Sequence, residues 1–296
     1  MSAIRITRAG PLATLQDAGR PGLLRHGISA SGPMDRAAFE RAAGWLGTAG
    51  TTGIEFTTAG IGFVAEGSVS IAVDGGAFDL SIDGDAKSWP SRALLSAGSV
   101  VDIRPGPSGN YGYLRFDREI DVPLVMGSRA TSSIAGIGGL AGRPLLAGDV
   151  LSLGPTLSRG RGQHPTPAEV ADGPIRVVWG IHADRFSNAI RQRFVTDDFV
   201  VSPQLDRMGV RLADPGQVFA DARILSLVSD AVVPGDIQIL GDGTPIVLMR
   251  DHQPTGGYPR IATLVTADLD RFAQLRPGSH LRFAPVTVAH AEGLKR

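Results

Sequence analysis

The 296-residue chain contains no cysteine, which excludes disulfides, thiolate metal sites and a cysteine nucleophile. Lysine is nearly absent: Lys87 and Lys295 are the only two, which disfavours a lysine nucleophile or Schiff base. No apolar stretch approaches the roughly 20 residues that a membrane span requires. Basic and acidic residues number 29 each, so no net field attracts nucleic acid or a membrane. We expect a soluble cytoplasmic protein whose main cation is arginine.

Glycine and proline are abundant instead, with 39 and 20 residues spread between short apolar runs. This pattern is typical of many strands joined by tight turns and predicts a mainly β protein. Gly98, Gly148 and Gly278 each have apolar residues three and five places later, as a turn glycine leading into a half-buried strand would. Segments 68–73 and 77–82 alternate around Asp-Gly-Gly, which predicts a hairpin.

Helical patterns are few and short. Apolar spacing predicts helices over 34–46, with Gly47 as the stop, over 183–194 and over 267–274. Between residues 154 and 174 the chain becomes polar and rich in Gly, Pro, Ser and Arg, which reads as a linker. We therefore expect an N-terminal β domain over 1–160 and a C-terminal β-barrel domain over 161–296.

The tract 251–259 has the densest polar chemistry in the chain. Two prolines and Gly256-Gly257 make it a loop, and its apolar flanks at 245–249 and 261–265 predict strands that hold it. Its polar members and glycines are candidate site residues: Asp251, His252, Gln253, Thr255, Gly256, Gly257 and Tyr258. The glycine amides could stabilise an oxyanion, Asp251 or His252 could move a proton, and Tyr258 could orient a ligand. The structural alternative is a tight turn with a packed tyrosine, and for His252 alone this alternative is favoured.

Further candidates lie in two other arginine-containing motifs. In 16–22, Gln16, Asp17 and Arg20 form either a ligand site or a turn fixed by hydrogen bonds. Asp35 either joins them or, as we favour, caps the helix that follows. Arg207 and Arg211 lie four residues apart and would share one face of a strand. They form either a carboxylate clamp or, for Arg207, a salt bridge with Asp206 or Asp230.

Five motifs in order carry a family resemblance: Gln16–Gly22, Ser31–Asp35, Gly139–Arg143 with Gly148-Asp149, Asp206–Leu212 and Thr255–Pro259. Together the motifs resemble the family of the 5-oxoprolinase C subunit, also called KipA or allophanate hydrolase subunit 2. This family is similar to part of the carboxyltransferase region of urea amidolyase. The resemblance implies two cyclophilin-like β-barrel domains with a few short helices. The sequence departs from the family pattern at 42–48, at 116–123 and at Pro254, which affects the choice of substrate.

Several other signals are missing. The stretch 136–143 is rich in glycine but lacks the Lys-Ser/Thr that ends a P-loop. The six histidines show no paired ligand spacing, so we expect no metal site. Lys87 lies in Ala-Lys-Ser, unlike a biotin attachment segment, so no covalently bound cofactor is expected.

The resulting hypothesis is a component of an ATP-dependent complex that opens 5-oxoproline to L-glutamate. The resemblance implies two partners, a KipI-like B subunit together with an A subunit, and ATP bound with them as co-substrate. The chain alone should be inactive, and self-association into a homo-oligomer is left open. One alternative is carboxyl transfer to a urea-like or amide acceptor, and another is a non-enzymatic KipA-like protein that binds a KipI-like regulator. The candidate catalytic residues are Asp17, Asp251, His252 and Tyr258. The candidate substrate-binding residues are Gln16, Arg20, Asp35, Arg207, Arg211, Gln253, Thr255, Gly256 and Gly257.

Overall fold

A computed structural model describes residues 2–157, 173–222 and 227–294. The chain forms two compact units, one of residues 1–21 and 31–168 and one of residues 22–30 and 169–296. Both are built mainly from strands, which confirms the mainly β prediction with few short helices. The predicted linker and domain boundary at 160/161 fall largely within 158–172, outside the described residues.

A nine-stranded sheet, curved into a half-barrel, forms the first unit together with one helix. The strands are β1 Ser2–Ala9, β2 Thr14–Gln16, β3 Gly53–Thr57, β4 Ile61–Ala65, β5 Val69–Ile82, β6 Asp85–Lys87, β7 Ser91–Leu95, β8 Val100–Phe116 and β9 Val150–Leu153, and the helix is α1 Arg36–Leu46. Their order is β2-β3-β8-β4-β1-β9, and β5 pairs with β6, β7 and β8. Alternate residues of these strands fill the hydrophobic core, because successive side chains of a strand point to opposite faces of the sheet.

The hairpin predicted over 68–82 is wrong, because β5 runs unbroken through this segment along the antiparallel strand β8. Gly75 and Gly76 bend the strand instead of reversing it. A Cβ on Gly75, which has a φ of 119°, would lie 2.4 Å from the Tyr111 carbonyl oxygen, and one on Gly76 would lie 2.7 Å from the Gly109 Cα. The glycines are therefore needed because two backbones approach closely at the bend.

The other local predictions in the first unit are confirmed. Helix α1 ends at Leu46 with Gly47 as its C-cap, and it lies against β5 and β8. Gly98 and Gly148 adopt positive φ and lead into β8 and β9. The apolar residues three and five places after each of them are buried.

The second unit contains an eight-stranded, nearly closed barrel sheet and a separate two-stranded sheet. The strands are β10 Ile175–Trp179, β11 Phe199–Leu205, β12 Gly209–Ala213, β13 Asp230–Ala231, β14 Asp236–Ile239, β15 Pro245–Leu248, β16 Thr255–Gly256, β17 Arg260–Leu264, β18 His280–Leu281 and β19 Phe283–Pro285. The barrel order is β18-β11-β12-β15-β14-β17-β10-β19, and β13 pairs with β16. Strands β15 and β17 therefore flank the tract 251–259, as the sequence predicts.

Helices of the second unit are short: α2 Asn188–Thr196, α3 Thr266–Ala273, α4 Val288–Gly293 and the 3-10 turns Leu24–His26 and Ala183–Arg185. The helix predicted over 183–194 is divided, because Ser187 caps a new helix by accepting a hydrogen bond from the Ile190 amide. The helix predicted over 267–274 is confirmed, and α4 was not predicted. Among residues 2–157, 173–222 and 227–294, no helix is long and apolar enough to cross a membrane.

Candidate functional site

In the first unit, Asp17 and Arg20 fasten the loop after β2 to the segment 125–130. The Asp17 carboxylate accepts hydrogen bonds from the Ser128 hydroxyl at 2.5 Å and from the Arg129 amide at 2.6 Å. Arg20 is 2% exposed and donates to the carbonyl oxygens of Val125 and Ala130. These contacts fit a turn fixed by hydrogen bonds, and a ligand role for either side chain stays a prediction.

Gln16 is fully buried beside this loop and bonds with both of its amide atoms. Its Nε2 donates to Thr14 Oγ1 at 3.0 Å and to the Thr131 carbonyl at 3.2 Å, and its Oε1 accepts from the Gly32 amide at 3.0 Å. Gln16 therefore joins two loops of the first unit. Asp35 is the N-cap of α1 and accepts a hydrogen bond from the Ala38 amide at 2.9 Å, which confirms the capping role that we favour.

The structure contains a buried hydrogen-bonded cluster around Glu55 that the sequence did not predict. Glu55 Oε2 accepts from the Met34 amide at 2.7 Å and from the Tyr113 hydroxyl at 2.9 Å, and that hydroxyl accepts from the Asp35 amide at 2.7 Å. Burial, and then the negative charges of Glu55 and Asp35, hold the pKa of Tyr113 well above its ordinary value. Glu55 is the only charged residue of the short strand β3, and a single carboxylate in a strand gives no sequence signal of its own.

In the second unit, Arg207 is bound to Asp251 in a buried ion pair. Its Nε lies 2.8 Å from Asp251 Oδ2 and its Nη2 lies 3.2 Å from Oδ1, with both side chains at most 6% exposed. The predicted salt-bridge partners of Arg207 were wrong: Asp206 accepts from the Met208 and Gly209 amides, and Asp230 pairs with Arg260. The pair fixes the start of the tract 251–259 to the β11–β12 loop.

Contacts with the neighbouring strand β13 and with Arg260 hold the rest of the tract in place. Arg260 donates to the Ala231 carbonyl at 2.7 Å and to Asp230 at 2.7 Å, and Asp230 pairs in register with Gly256 across the two-stranded sheet. His252 is buried with its Nδ1 2.6 Å from the Gln253 carbonyl oxygen, and burial lowers its pKa below the ordinary value. The structure thus fits the structural alternative for His252, and its proton-transfer role stays a prediction.

A cavity of about 480 Å³ opens on one face of the barrel sheet beside the tract. Its lining residues come from the β11–β12 arm, from β14 and β15, and from the tract: Pro203, Gln204, Leu205, Asp206, Met208, Gly209, Arg211, Gln238, Leu240, Ile246, Leu248, Gln253 and Tyr258. Three predicted site residues, Arg211, Gln253 and Tyr258, therefore meet here. Arg207 is not part of the lining, so the structure does not bring it together with Arg211 as a two-arginine clamp.

Strand register explains why the cavity has its polar groups at two ends. Ile246 on β15 is paired with Arg211 on β12 and with Gln238 on β14, so the three form one row across the sheet. With strands about 4.8 Å apart, the Cα atoms of Arg211 and Gln238 are about 10 Å from each other. Arg211 is exposed and forms no ion pair within the described residues. Gln238 is 1% exposed.

The carboxamides of Gln238 and Gln253 lie together at the tract end of this row. Gln253 Nε2 donates to Gln238 Oε1 across 3.4 Å, a long hydrogen bond. Gln238 Nε2 is buried without a hydrogen-bond partner, and a Cβ on Gly256 would lie 2.2 Å from it. Tyr258 is 39% exposed at the rim, so the packed-tyrosine alternative is wrong. Thr255 is exposed in β16, and the oxyanion role of the Gly256 and Gly257 amides stays a prediction.

No group of three or more His, Cys, Asp or Glu side chains within the described ranges could hold a metal ion.

Comparison with known proteins shows the family of the chain. The model of the carboxyltransferase domain, subdomain A and B, matches residues 26–285. The chain belongs to this carboxyltransferase domain family. It is 33% identical to the C subunit of 5-oxoprolinase from Escherichia coli, over 97% of this chain and 93% of that protein. It is 30% identical to urea amidolyase of Saccharomyces cerevisiae, over 99% of this chain but 17% of that protein.

A solved structure gives the same answer. The family fold in the crystal structure of urea amidolyase from K. lactis superposes with a TM-score of 0.87 and 26% identity, covering 98% of this chain and 19% of that one. These matches confirm the resemblance that the five motifs carry. The carboxyltransferase family thus includes both full-length relatives of this chain and much longer proteins in which it corresponds to one part.

Proposed function

We propose that this chain is the C subunit of an ATP-dependent 5-oxoprolinase and opens 5-oxoproline to L-glutamate together with a KipI-like B subunit, joined by an A subunit. The observation that carries the proposal is the match to the 5-oxoprolinase C subunit of Escherichia coli along almost the whole of both proteins. A relative of similar length supports a shared role better than one in which the chain corresponds to about a sixth of the sequence.

Chemistry of the second unit supports the dependence on partners. Amide resonance makes a lactam carbonyl a poor electrophile, so ring opening needs activation and stabilisation of an oxyanion. In this chain Asp251 is bound to Arg207, and His252 is held against its own backbone with a lowered pKa. Neither acid–base candidate is poised for the reaction by itself. ATP enters the proposal through the resemblance to the 5-oxoprolinase family, as a co-substrate bound together with the partner proteins.

Reconstitution tests this function. The purified chain and its A and B partners are assayed singly, in pairs and all together for ATP-dependent formation of glutamate from 5-oxoproline. We expect turnover only in the complete mixture. Equal turnover by this chain alone, or none by the complete mixture, would refute the proposal.

Carboxyl transfer is a second candidate, because the structural match to urea amidolyase covers 98% of this chain. It requires a biotin carrier on another protein. Carboxylation of urea or a related amide that depends on a separate biotinylated carrier and is blocked by avidin would favour this reaction over lactam opening.

A further inference from the structure

The cavity on the barrel face has a charge at one end and an amide at the other. Arg211 stands at one end of the row and forms no ion pair within the parts of the chain described, and the paired carboxamides of Gln253 and Gln238 stand at the other. Between them lies Ile246, an apolar floor. A volume of about 480 Å³ is within the usual range for small-molecule sites.

We propose that this cavity binds a small cyclic amide that also carries a carboxylate. Arg211 binds the carboxylate, Gln253 binds the amide, and Gln238 positions Gln253. The choice of 5-oxoproline as the ligand rests on the proposed function.

Hydrogen-bond chemistry supports the amide end. A lactam has a cis amide, so its N–H and C=O point in the same direction. A glutamine carboxamide presents a donor and an acceptor in the same way, and the two groups can form a cyclic pair of hydrogen bonds. Gln253 is half-buried in the cavity wall, and one N–H of its Nε2 makes the long bond to Gln238, so its second N–H and its carbonyl oxygen are left for the lactam while that bond is kept. Gln238 Nε2 is buried against Gly256, so Gln238 acts on the ligand through Gln253.

Charge chemistry supports the opposite end. A guanidinium matches the planar fork of a carboxylate, and Arg211 forms no ion pair among the described residues; its charge contributes, after hydrogen bonds from Thr244, to the lowered pKa of Asp242 nearby. Asp206, also in the lining, accepts hydrogen bonds from the Met208 and Gly209 amides through its Oδ1. The methylene groups of a five-membered ring would lie on Ile246, which is half-buried.

Two ligands separate the two ends in one experiment. Binding of 5-oxoproline and of 2-pyrrolidinone, the same ring without the carboxylate, is measured on the full chain by NMR titration. Arg211→Met should raise the Kd for 5-oxoproline about tenfold or more and leave that for 2-pyrrolidinone within about twofold. Gln253→Met should raise both Kd values about fivefold or more. The matched controls Arg282→Met and Gln192→Met, at exposed positions elsewhere in this unit, should change neither.

Gln238 acts through its neighbour, so it needs a different readout. Gln238→Met should shift the side-chain amide resonances of Gln253 in the free protein and weaken both ligands, whereas a merely structural role would leave those resonances in place. If Gln238→Met does not fold, Gln253→Met still tests the amide end.

The outcomes separate this inference from the proposed function. Absence of saturable binding, or equal loss of both ligands in Arg211→Met, would overturn the assigned cavity even if the reconstituted complex is active. Selective loss of 5-oxoproline in Arg211→Met would support the cavity even if the complex shows no turnover.

Discussion

Similar polar residues have a structural role in the first unit and line a cavity in the second. In the first unit Gln16, Asp17 and Arg20 direct their hydrogen bonds to other loops of the same unit. In the second unit Arg211 and Gln253 point into a cavity with few bonds of their own. A polar motif thus indicates a binding site only when its hydrogen bonds are not already satisfied within the protein.

The largest effect should come from breaking the buried ion pair. Arg207→Met leaves Asp251 buried without its partner and should lower the free energy of unfolding by about 3–5 kcal/mol. Urea denaturation measures the loss. The double variant Arg207→Met with Asp251→Leu should recover much of it, because no unpaired charge remains. An unchanged midpoint in the single variant would show that the pair is not structural.

The Glu55 cluster tests the first unit in the same way. Glu55→Leu removes the acceptor of the Met34 amide and the Tyr113 hydroxyl, and should cost about 3 kcal/mol of unfolding free energy. Glu66→Leu is the control, because Glu66 is partly exposed in a surface pair with Arg5. Equal losses in the two variants would mean that the buried bonds add nothing.

A smaller and pH-dependent effect should come from Asp268 at the start of α3. Burial would raise its pKa, but hydrogen bonds from Arg176 and Arg271 outweigh burial and lower it to about 2 from the ordinary 3.8. This stabilisation, on the order of 2 kcal/mol, is present above pH 3.8 and is lost as the pH falls towards 2.

Asp268→Asn should therefore reduce the dependence of stability on pH between 4 and 2, which denaturation curves at several pH values measure. Asp184→Asn, at a side chain that is 98% exposed, is the control. A variant curve parallel to that of the wild type would count against these hydrogen bonds as the source of the lowered pKa.

The smallest effect on stability is expected at Arg211. Arg211→Met should change the free energy of unfolding by no more than about 0.5 kcal/mol, because the side chain is exposed and forms no ion pair in the described ranges. Thermal denaturation beside Arg282→Met checks this. A loss of several kcal/mol would mean that Arg211, like Arg20, serves the fold.

The sequence predicted correctly those turns, strands and helices whose formation depends on neighbouring residues. Gly278, for example, has positive φ and leads into β18 with Leu281 buried. The segment 68–82 was misread because Asp-Gly-Gly suits a turn and a bend equally, and the choice depends on pairing with β8, distant in sequence.

The candidate site was predicted in part for the same reason. Arg211, Gln253 and Tyr258 stood out as polar residues in unusual motifs, and the structure places all three in the cavity lining. Gln238 did not stand out, since it lies in the four-residue strand β14 and belongs to no recognisable motif. Its role follows from strand register, which a single sequence does not display. The pairing of Arg207 with Asp251, 44 residues apart, was missed on the same grounds.

Gly256 constrains which amino-acid substitutions the tract 251–259 can accept. Since an added methyl group there would overlap the amide of Gln238, a larger residue at 256 must displace that amide or be matched by a smaller side chain at 238. The two sites should therefore vary together during evolution. A mutant library that pairs a larger residue at 256 with a smaller one at 238 would change the amide end of the cavity at both positions and give access to new ligand shapes.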